Sequence, residues 1–152
     1  MRNSSPRFSI RKAKPEDGKF IKDLIHRVGI NPISLNWNNF ILAVNDEGKP
    51  VGCGQIKPHL DGSHELASIA VEESYRKQGI ATAIIRNLLK GASRPIFLTC
   101  RESLGEFYRK FGFQIATNEH MTPYFRILQW ATNTLFNAHL LRVKILVMVK
   151  PT

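Results

Sequence analysis

A chain of 152 residues has the length of one compact domain, and at that size roughly 68–70% of the unfolded surface is buried without disulfide or metal staples. Hydrophobic residues make up 43%, which excludes a disordered tail, and the longest wholly apolar runs, such as 145–149, are far short of the ~18 residues of a membrane span. The formal net charge of +10, from 22 basic and 12 acidic residues, points to polyanionic partners (a nucleotide cofactor, nucleic acid or an acidic protein surface), unless the excess serves solubility alone. Residues 1–14 carry charges and no apolar run, so no secretory signal is expected. The two cysteines, Cys53 and Cys100, make no disulfide framework, and a reducing cytoplasm is the expected compartment.

No internal repeat or linker-like composition divides the chain, so one domain over 1–152 is expected. Residues 8–11 read as an opening strand. Pro15, Glu16 and Asp17 mark a helix start, because proline fits the first turn and acids favour the positive end of the helix dipole. Phe20, Ile21, Leu24, Ile25 and Val28 recur at helical spacing, and Gly29 ends the pattern. A short helix is expected over 35–39. Strands follow at 40–44 and 50–57, joined by the hairpin signal Asn45-Asp46-Glu47-Gly48. Asp61-Gly62 is a second turn, and 65–71 a third strand of this group. After Gly79 the chain is amphipathic, with Ile80, Ile84, Ile85, Leu88 and Leu89 on one side. A buried-type strand is expected at 96–100. Ser103 and Glu106 match a capping box ahead of a helix that stops at Gly112. The remaining expectations are a strand at 113–116, a helix from Thr122-Pro123 to about 140, and a last strand at 144–149. That order describes a mixed α/β sheet.

The most informative stretch runs from the strand Glu65-Leu66-Ala67-Ser68-Ile69-Ala70-Val71 through the basic turn Arg76-Lys77-Gln78-Gly79 to the helix start Ile80-Ala81-Thr82. Backbone N–H groups at a helix start, backed by the dipole, bind phosphate. Gly79 and the small Ala81 let backbone approach a ligand closely, and Arg76 and Lys77 add positive charge. By themselves these residues describe either an anion site or an ordinary strand-to-helix turn with solvated bases. No Gly-x-x-x-x-Gly-Lys-Ser/Thr is present, and no Gly-x-Gly-x-x-Gly follows the strand. Arg76 to Ala81 resembles the Arg/Gln-x-x-Gly-x-Gly/Ala signature of the GNAT superfamily of acyl-CoA-dependent N-acetyltransferases. Tyr108-Arg109-Lys110-Phe111-Gly112-Phe113 resembles that family's Tyr-x-x-x-Gly-Phe element. The resemblance covers about 8–113, with 144–149 as the family's last strand.

The resemblance implies a GNAT-like α/β fold, a central twisted mixed sheet flanked by helices, with acetyl-CoA as acyl-donor cosubstrate. It also implies direct transfer of acetyl to a primary amine in a ternary complex. The pantetheine arm would pair with backbone at Ile69, Ala70 and Val71. The pyrophosphate would sit on Arg76, Lys77, Gln78, Gly79, Ile80, Ala81 and Thr82, mainly through main-chain N–H groups. Tyr108 stands where many members carry the tyrosine that protonates the leaving thiolate; the other reading is a core aromatic beside Phe107 and Phe111. Glu65 stands where some members carry a general base, acting directly or through water; the other reading is a solvated glutamate at a strand start. Regular alternation would put Glu65, Ala67, Ile69 and Val71 on one face. One departure is that Arg101 and Leu104 stand where many relatives have Asn-x-x-Ala.

Acetyl transfer needs a neutral amine, and a lysine side chain (pKa about 10.4) needs more help from a base than an α-amine (about 7.7–8.0). The acceptor class stays open among a protein N-terminus, a lysine and a small amine, with the basic surface favouring acidic acceptors over polyamines. Two rival classes remain: a catalytically silent acyl-CoA-binding sensor or interaction module on the same fold, and a basic nucleic-acid-binding protein. The second lacks interleaved aromatic and basic residues. His26, His59, His64, His120 and His139 lack metal-ligand spacing; His59 and His64 flank a hairpin turn and read as surface turn residues, the other reading being an edge of the acceptor cleft. Cys53, Cys100, Trp37 and Trp130 read as core, and 128–141 as a sheet cover or a homodimer surface.

Overall fold

The computed structural model describes residues 7–152; residues 1–6, part of the stretch for which no secretory signal is expected, lie outside the described residues. A mixed sheet of seven strands runs in the order β1-β2-β3-β4-β5-β7-β6. The strands are β1 (Phe8–Lys12), β2 (Phe40–Asn45), β3 (Pro50–Pro58), β4 (His64–Val71), β5 (Ile96–Arg101), β6 (Gln114–Ile115) and β7 (Ile145–Lys150). The helices are α1 (Gly18–Val28), α2 (Ile80–Gly91), α3 (Gly105–Arg109) and α4 (Pro123–Asn137). β1, β2 and β3 pair antiparallel, β4 meets β5 in parallel at Glu65 opposite Phe97, and β7 pairs antiparallel with both β5 and β6. The expected α/β fold with a mixed sheet and flanking helices is therefore present. Contacts gather the described residues into two units, one ending at Lys57 and resuming over Leu66–Ala92, the other holding Pro58–Glu65 and Ser93–Thr152.

In the first unit, the apolar stripe of α1 becomes its buried face. Ile21, Leu24 and Ile25 pack with Phe40, Leu42, Val44, Cys53 and Ala70. Each fully buried Ile or Leu of that face contributes about 1.5–3 kcal/mol. Gly29 ends the helix at φ 76°, a left-handed conformation that glycine adopts at no steric cost. Asp17 fixes where α1 begins: its carboxylate takes a forked pair from Arg11 of β1 (2.7 and 3.0 Å) and the Lys14 N–H (2.7 Å). The Arg11 hydrogen bonds hold its carboxyl below the usual range.

α2 lies close against β3 because β3 offers glycine where other strands carry side chains. A Cβ on Gly54 would meet Ile69 Cδ1 and Ile84 Cγ2 at 2.6 Å, and one on Gly52 would meet Ile80 Cγ2 at 3.1 Å and the Ala70 carbonyl oxygen at 3.2 Å. All five apolar residues expected on the α2 stripe are buried.

In the second unit, Phe125 of α4 is fully buried, stacked on Phe97 of β5 at 4.5 Å and packed with Val147 and Val149 of β7. Trp130 and Ile127 on the same helix are exposed, so Trp130 is not a core residue as its size suggested. Several expected elements shrink. Residues 35–39 hold only a 3-10 turn at Trp37–Asn39, only Gln114–Ile115 of 113–116 pairs, and α4 stops at Asn137. The Ser103–Glu106 capping box does not form: a 3-10 turn over Glu102–Leu104 runs into α3 with no side-chain cap, and Glu106 pairs with Arg109 instead. Among the described residues no helix is long and apolar enough to cross a membrane.

Gly54→Ala is expected to destabilise the chain by about 1–3 kcal/mol, because Ile84 is β-branched, buried and unable to move without α2. Gly18→Ala, where a Cβ meets nothing, is expected to be neutral or to stabilise by about 0.4–1 kcal/mol. Urea unfolding of the two variants beside the parent chain checks both signs.

Candidate active site

The first group of site residues belongs to the first unit. From β4 the chain passes through a 3-10 turn at Glu73–Tyr75, then Arg76, Lys77, Gln78 and Gly79, all exposed, and enters α2. Lys77 (φ 62°) and Gly79 (φ 82°) both take left-handed backbone, so the turn reverses tightly just before the helix. The backbone sets this requirement at Gly79, since a Cβ there would meet nothing within 4 Å. No side chain caps α2, and its first backbone bond is Ala83 N–H to the Gly79 carbonyl at 3.0 Å. The N–H groups of Ile80, Ala81 and Thr82 therefore have no partner inside the helix.

Charge around this turn is arranged in its favour. Glu72 would oppose an anion, but Arg27 of α1 holds it in a forked pair at 2.7 and 2.8 Å, and that hydrogen bonding depresses the Glu72 carboxyl. Arg76 turns its Nε back to the Val71 carbonyl at 3.2 Å, which pins the turn to the end of β4. Along β4 itself, which runs unbroken from His64 to Val71, Ser68 takes left-handed backbone at φ 58°. After Ser68 the side chains alternate: Ile69 reaches the α2 side beside Gly54, while Ala70 joins the α1 core.

The second group belongs to the second unit. Glu65 is buried rather than solvated: His59 Nε2 lies 2.7 Å from its Oε2, and the Thr99 hydroxyl donates to Oε1 at 3.2 Å. His59 is correspondingly a mostly buried residue and not a surface turn residue. Its ring stacks on Tyr124 at 3.8 Å and meets the edge of Phe125 at 5.5 Å. The turn that presents His59 is held by Asp61, whose carboxylate accepts from the Ser63 N–H and hydroxyl and from the Tyr124 N–H. Burial pulls the Asp61 carboxyl up, but those hydrogen bonds outweigh it and hold the group well below the ordinary carboxylate range.

Tyr108 lies on α3, mostly enclosed, with edge contacts to Phe107 (5.1 Å) and Phe113 (6.2 Å). Burial, reinforced by the Cys100 thiol, pushes its phenol up to about 12, so it is fully protonated at neutral pH. Burial also pushes the thiols of Cys53 and Cys100 up to about 12 and about 11, which leaves neither as a thiolate nucleophile. Arg101, at the end of β5, and Leu104 are exposed. Sequence reasoning missed three polar residues of the first unit, Gln55, Lys57 and Ser68, all buried. The signal was the alternation of Cys53, Gln55 and Lys57 along β3, which puts two polar side chains on a core-facing row.

The profile of the acetyltransferase (GNAT) domain matches residues 36–115, more than half of the chain. The chain belongs to the GNAT acetyltransferase family. Solved structures similar to this GNAT chain include Rv2747 from Mycobacterium tuberculosis in complex with CoA, 21% identical over 95% of this chain and 99% of that one, with a TM-score of 0.73. N-acetylglutamate synthase from Neisseria gonorrhoeae, complexed with coenzyme A and N-acetyl-glutamate, is 21% identical with a TM-score of 0.67; the match covers 95% of this chain but 35% of that enzyme. The ribosomal-protein-S18-alanine N-acetyltransferase from Escherichia coli is 20% identical, with a TM-score of 0.65 and coverage of 95% and 93%. At such identities the likeness is one of fold. No curated protein sequence matches the chain.

A thiol titration checks the burial of the two cysteines. In the native GNAT chain at pH 8 a disulfide reagent is expected to find no rapidly reacting thiol, and after denaturation to find both Cys53 and Cys100.

Proposed function

We propose that this chain is an acetyl-CoA-dependent N-acetyltransferase that passes acetyl directly to a primary amine within a ternary complex. The observation that carries the reading is the uncapped amino end of α2 behind the left-handed pair Lys77 and Gly79, inside the matched family region. Phosphate suits that place: N–H groups with no helical partner lie together, the helix dipole adds positive potential, and Glu72 at the end of β4 is already paired. The CoA complexes of similar folds support the same donor.

Acetyl-CoA supplies an activated thioester. On this reading the Ile80, Ala81 and Thr82 N–H groups hold the pyrophosphate, Arg76 and Lys77 add charge, and Gln78 and Gly79 shape the turn. Backbone of Ile69, Ala70 and Val71 aligns the pantetheine arm. The acceptor nitrogen forms its bond to the acetyl carbon as the carbon–sulfur bond breaks, and two protons must move. Tyr108, protonated at neutral pH, holds at Oη the proton that the departing sulfur takes. Glu65 receives the amine's proton, directly or by way of its partner His59, whose ring the Tyr124 stack keeps in place. With both cysteines protonated and buried, a covalent acyl-enzyme has no nucleophile there.

Calorimetric titration with acetyl-CoA is expected to saturate, and Gly79→Glu, which forces a bulky acid into left-handed backbone at the helix start, is expected to abolish the heat. Tyr108→Phe is expected to lower turnover about 100-fold or more while the acetyl-CoA dissociation constant stays within about twofold. Binding without turnover on any amine would make the chain a sensor, and equal turnover by Tyr108→Phe would remove the tyrosine from the acid role.

A further inference from the structure

Within the first unit, a polar cluster faces the core side of β3 and β4 and has no part in the cofactor site. Gln55 is 0% exposed, and its Nε2 donates to the Ser68 hydroxyl at 2.9 Å and to the Ser34 carbonyl at 3.3 Å. The Ser34 carbonyl only accepts, so the amide cannot be flipped without setting two oxygens against each other. That orientation leaves Gln55 Oε1 buried with no donor among the described residues. Because Ser68 Oγ accepts from Gln55, its own hydroxyl proton is left to give. Ser68 (φ 58°) and Ser34 (φ 60°), the two residues on the amide, both hold left-handed backbone, strain of a kind that gathers at ligand clamps.

Two residues further along β3, alternation places Lys57 on the same face. The residue is buried, and it makes no ion pair among the described residues. The cover over this face is thin: residues 31–34, which carry the Ser34 carbonyl, are exposed, and the bond they make to Gln55 is the longer of its two.

We infer that Gln55 and Lys57 are the acceptor-reading residues and that the acceptor is a free α-amino acid; this rests on the acetyltransferase reading above. When the Ser34 turn is displaced, Gln55 Oε1 accepts an N–H of the substrate amine, and the Lys57 ammonium pairs with the adjacent carboxylate. The two side chains leave the strand about 7 Å apart, a gap that the flexible lysine stem narrows to the reach of one small zwitterion. A polyamine satisfies Gln55 but meets Lys57 as a like charge. A lysine within a protein, or a protein N-terminus, has no free carboxylate beside its amine.

The test measures thiol release from acetyl-CoA with the common L-amino acids one at a time, then with the α-amide of the best acceptor and with the amine that lacks its carboxylate. The expected result is that both analogues lose at least about tenfold in kcat/KM. Lys57→Met is expected to raise KM for the amino acid and bring the three acceptors within about twofold of one another, with acetyl-CoA affinity kept. Gln55→Leu is expected to depress all three alike. Should that variant fold poorly, thermal stabilisation of the CoA-bound parent chain by the amino acid, and its loss in Lys57→Met, carries the same point. Equal rates on the amino acid and its amide, turnover only on amines without a carboxylate, or a preference that survives Lys57→Met each overturn the inference while leaving the acetyltransferase reading in place. Failure of the parent chain to bind acetyl-CoA overturns both.

Discussion

The amino end of α2 sits where it does because β3 presents no side chains beneath it. At Gly52 and Gly54 the gap is already filled by Ile80, Ile84 and Ile69, with atoms that would stand 2.6 to 3.2 Å from any added Cβ. Backbone and helix thus meet across the thinnest layer that side chains allow, and close packing of this sort resists displacement. The consequence lies at the other end of the same contact. Ile80 is both the first residue of α2 and the residue clamped over Gly52, so the helix start cannot drift from the end of β4.

Electrostatics then gives that fixed helix start its character. An uncapped amino end carries partial positive charge, and in most helices a Ser, Thr, Asp or Asn side chain occupies it. Here the cap position is Gly79, which contributes no side chain. The surrounding charges follow the same logic: Arg27 engages Glu72 from α1, and Arg76 is tethered to Val71 without losing its charge. A net charge of +10 extends the favourable field beyond the turn. In the second unit the balance is different. There the polar side chains are paired inward, with His59, Glu65 and Thr99 bonded in a chain and roofed by Tyr124.

Much of this was legible in the residues. The helical stripe after Gly79, the turns at Asn45–Gly48 and Asp61–Gly62, and the stop at Gly29 are local signals, and local signals survive into the folded chain. The places that sequence misread are those settled by distant partners. Ser103 and Glu106 have the spacing of a capping box, yet the Glu102 N–H is drawn to the Lys144 carbonyl and the turn tightens to 3-10. Trp130 has the size of a core residue, but α4 buries only a narrow face at Phe125 and Leu128. His59 looks like a turn residue until the hairpin closes and sets it opposite Glu65. Alternation along β3 marked the Gln55 position, but the bonds of its amide were not legible, because its partners, Ser34 and Ser68, are far from it in sequence.

The proposed function rests on phosphate being held by the backbone at the start of α2. Two-dimensional amide NMR of the chain, titrated with CoA, tests it at the groups concerned. The largest shifts are expected on the amides of Gly79, Ile80, Ala81 and Thr82, with a second set at Ile69, Ala70 and Val71. Saturable binding that leaves the Gly79 to Thr82 amides unmoved would contradict it.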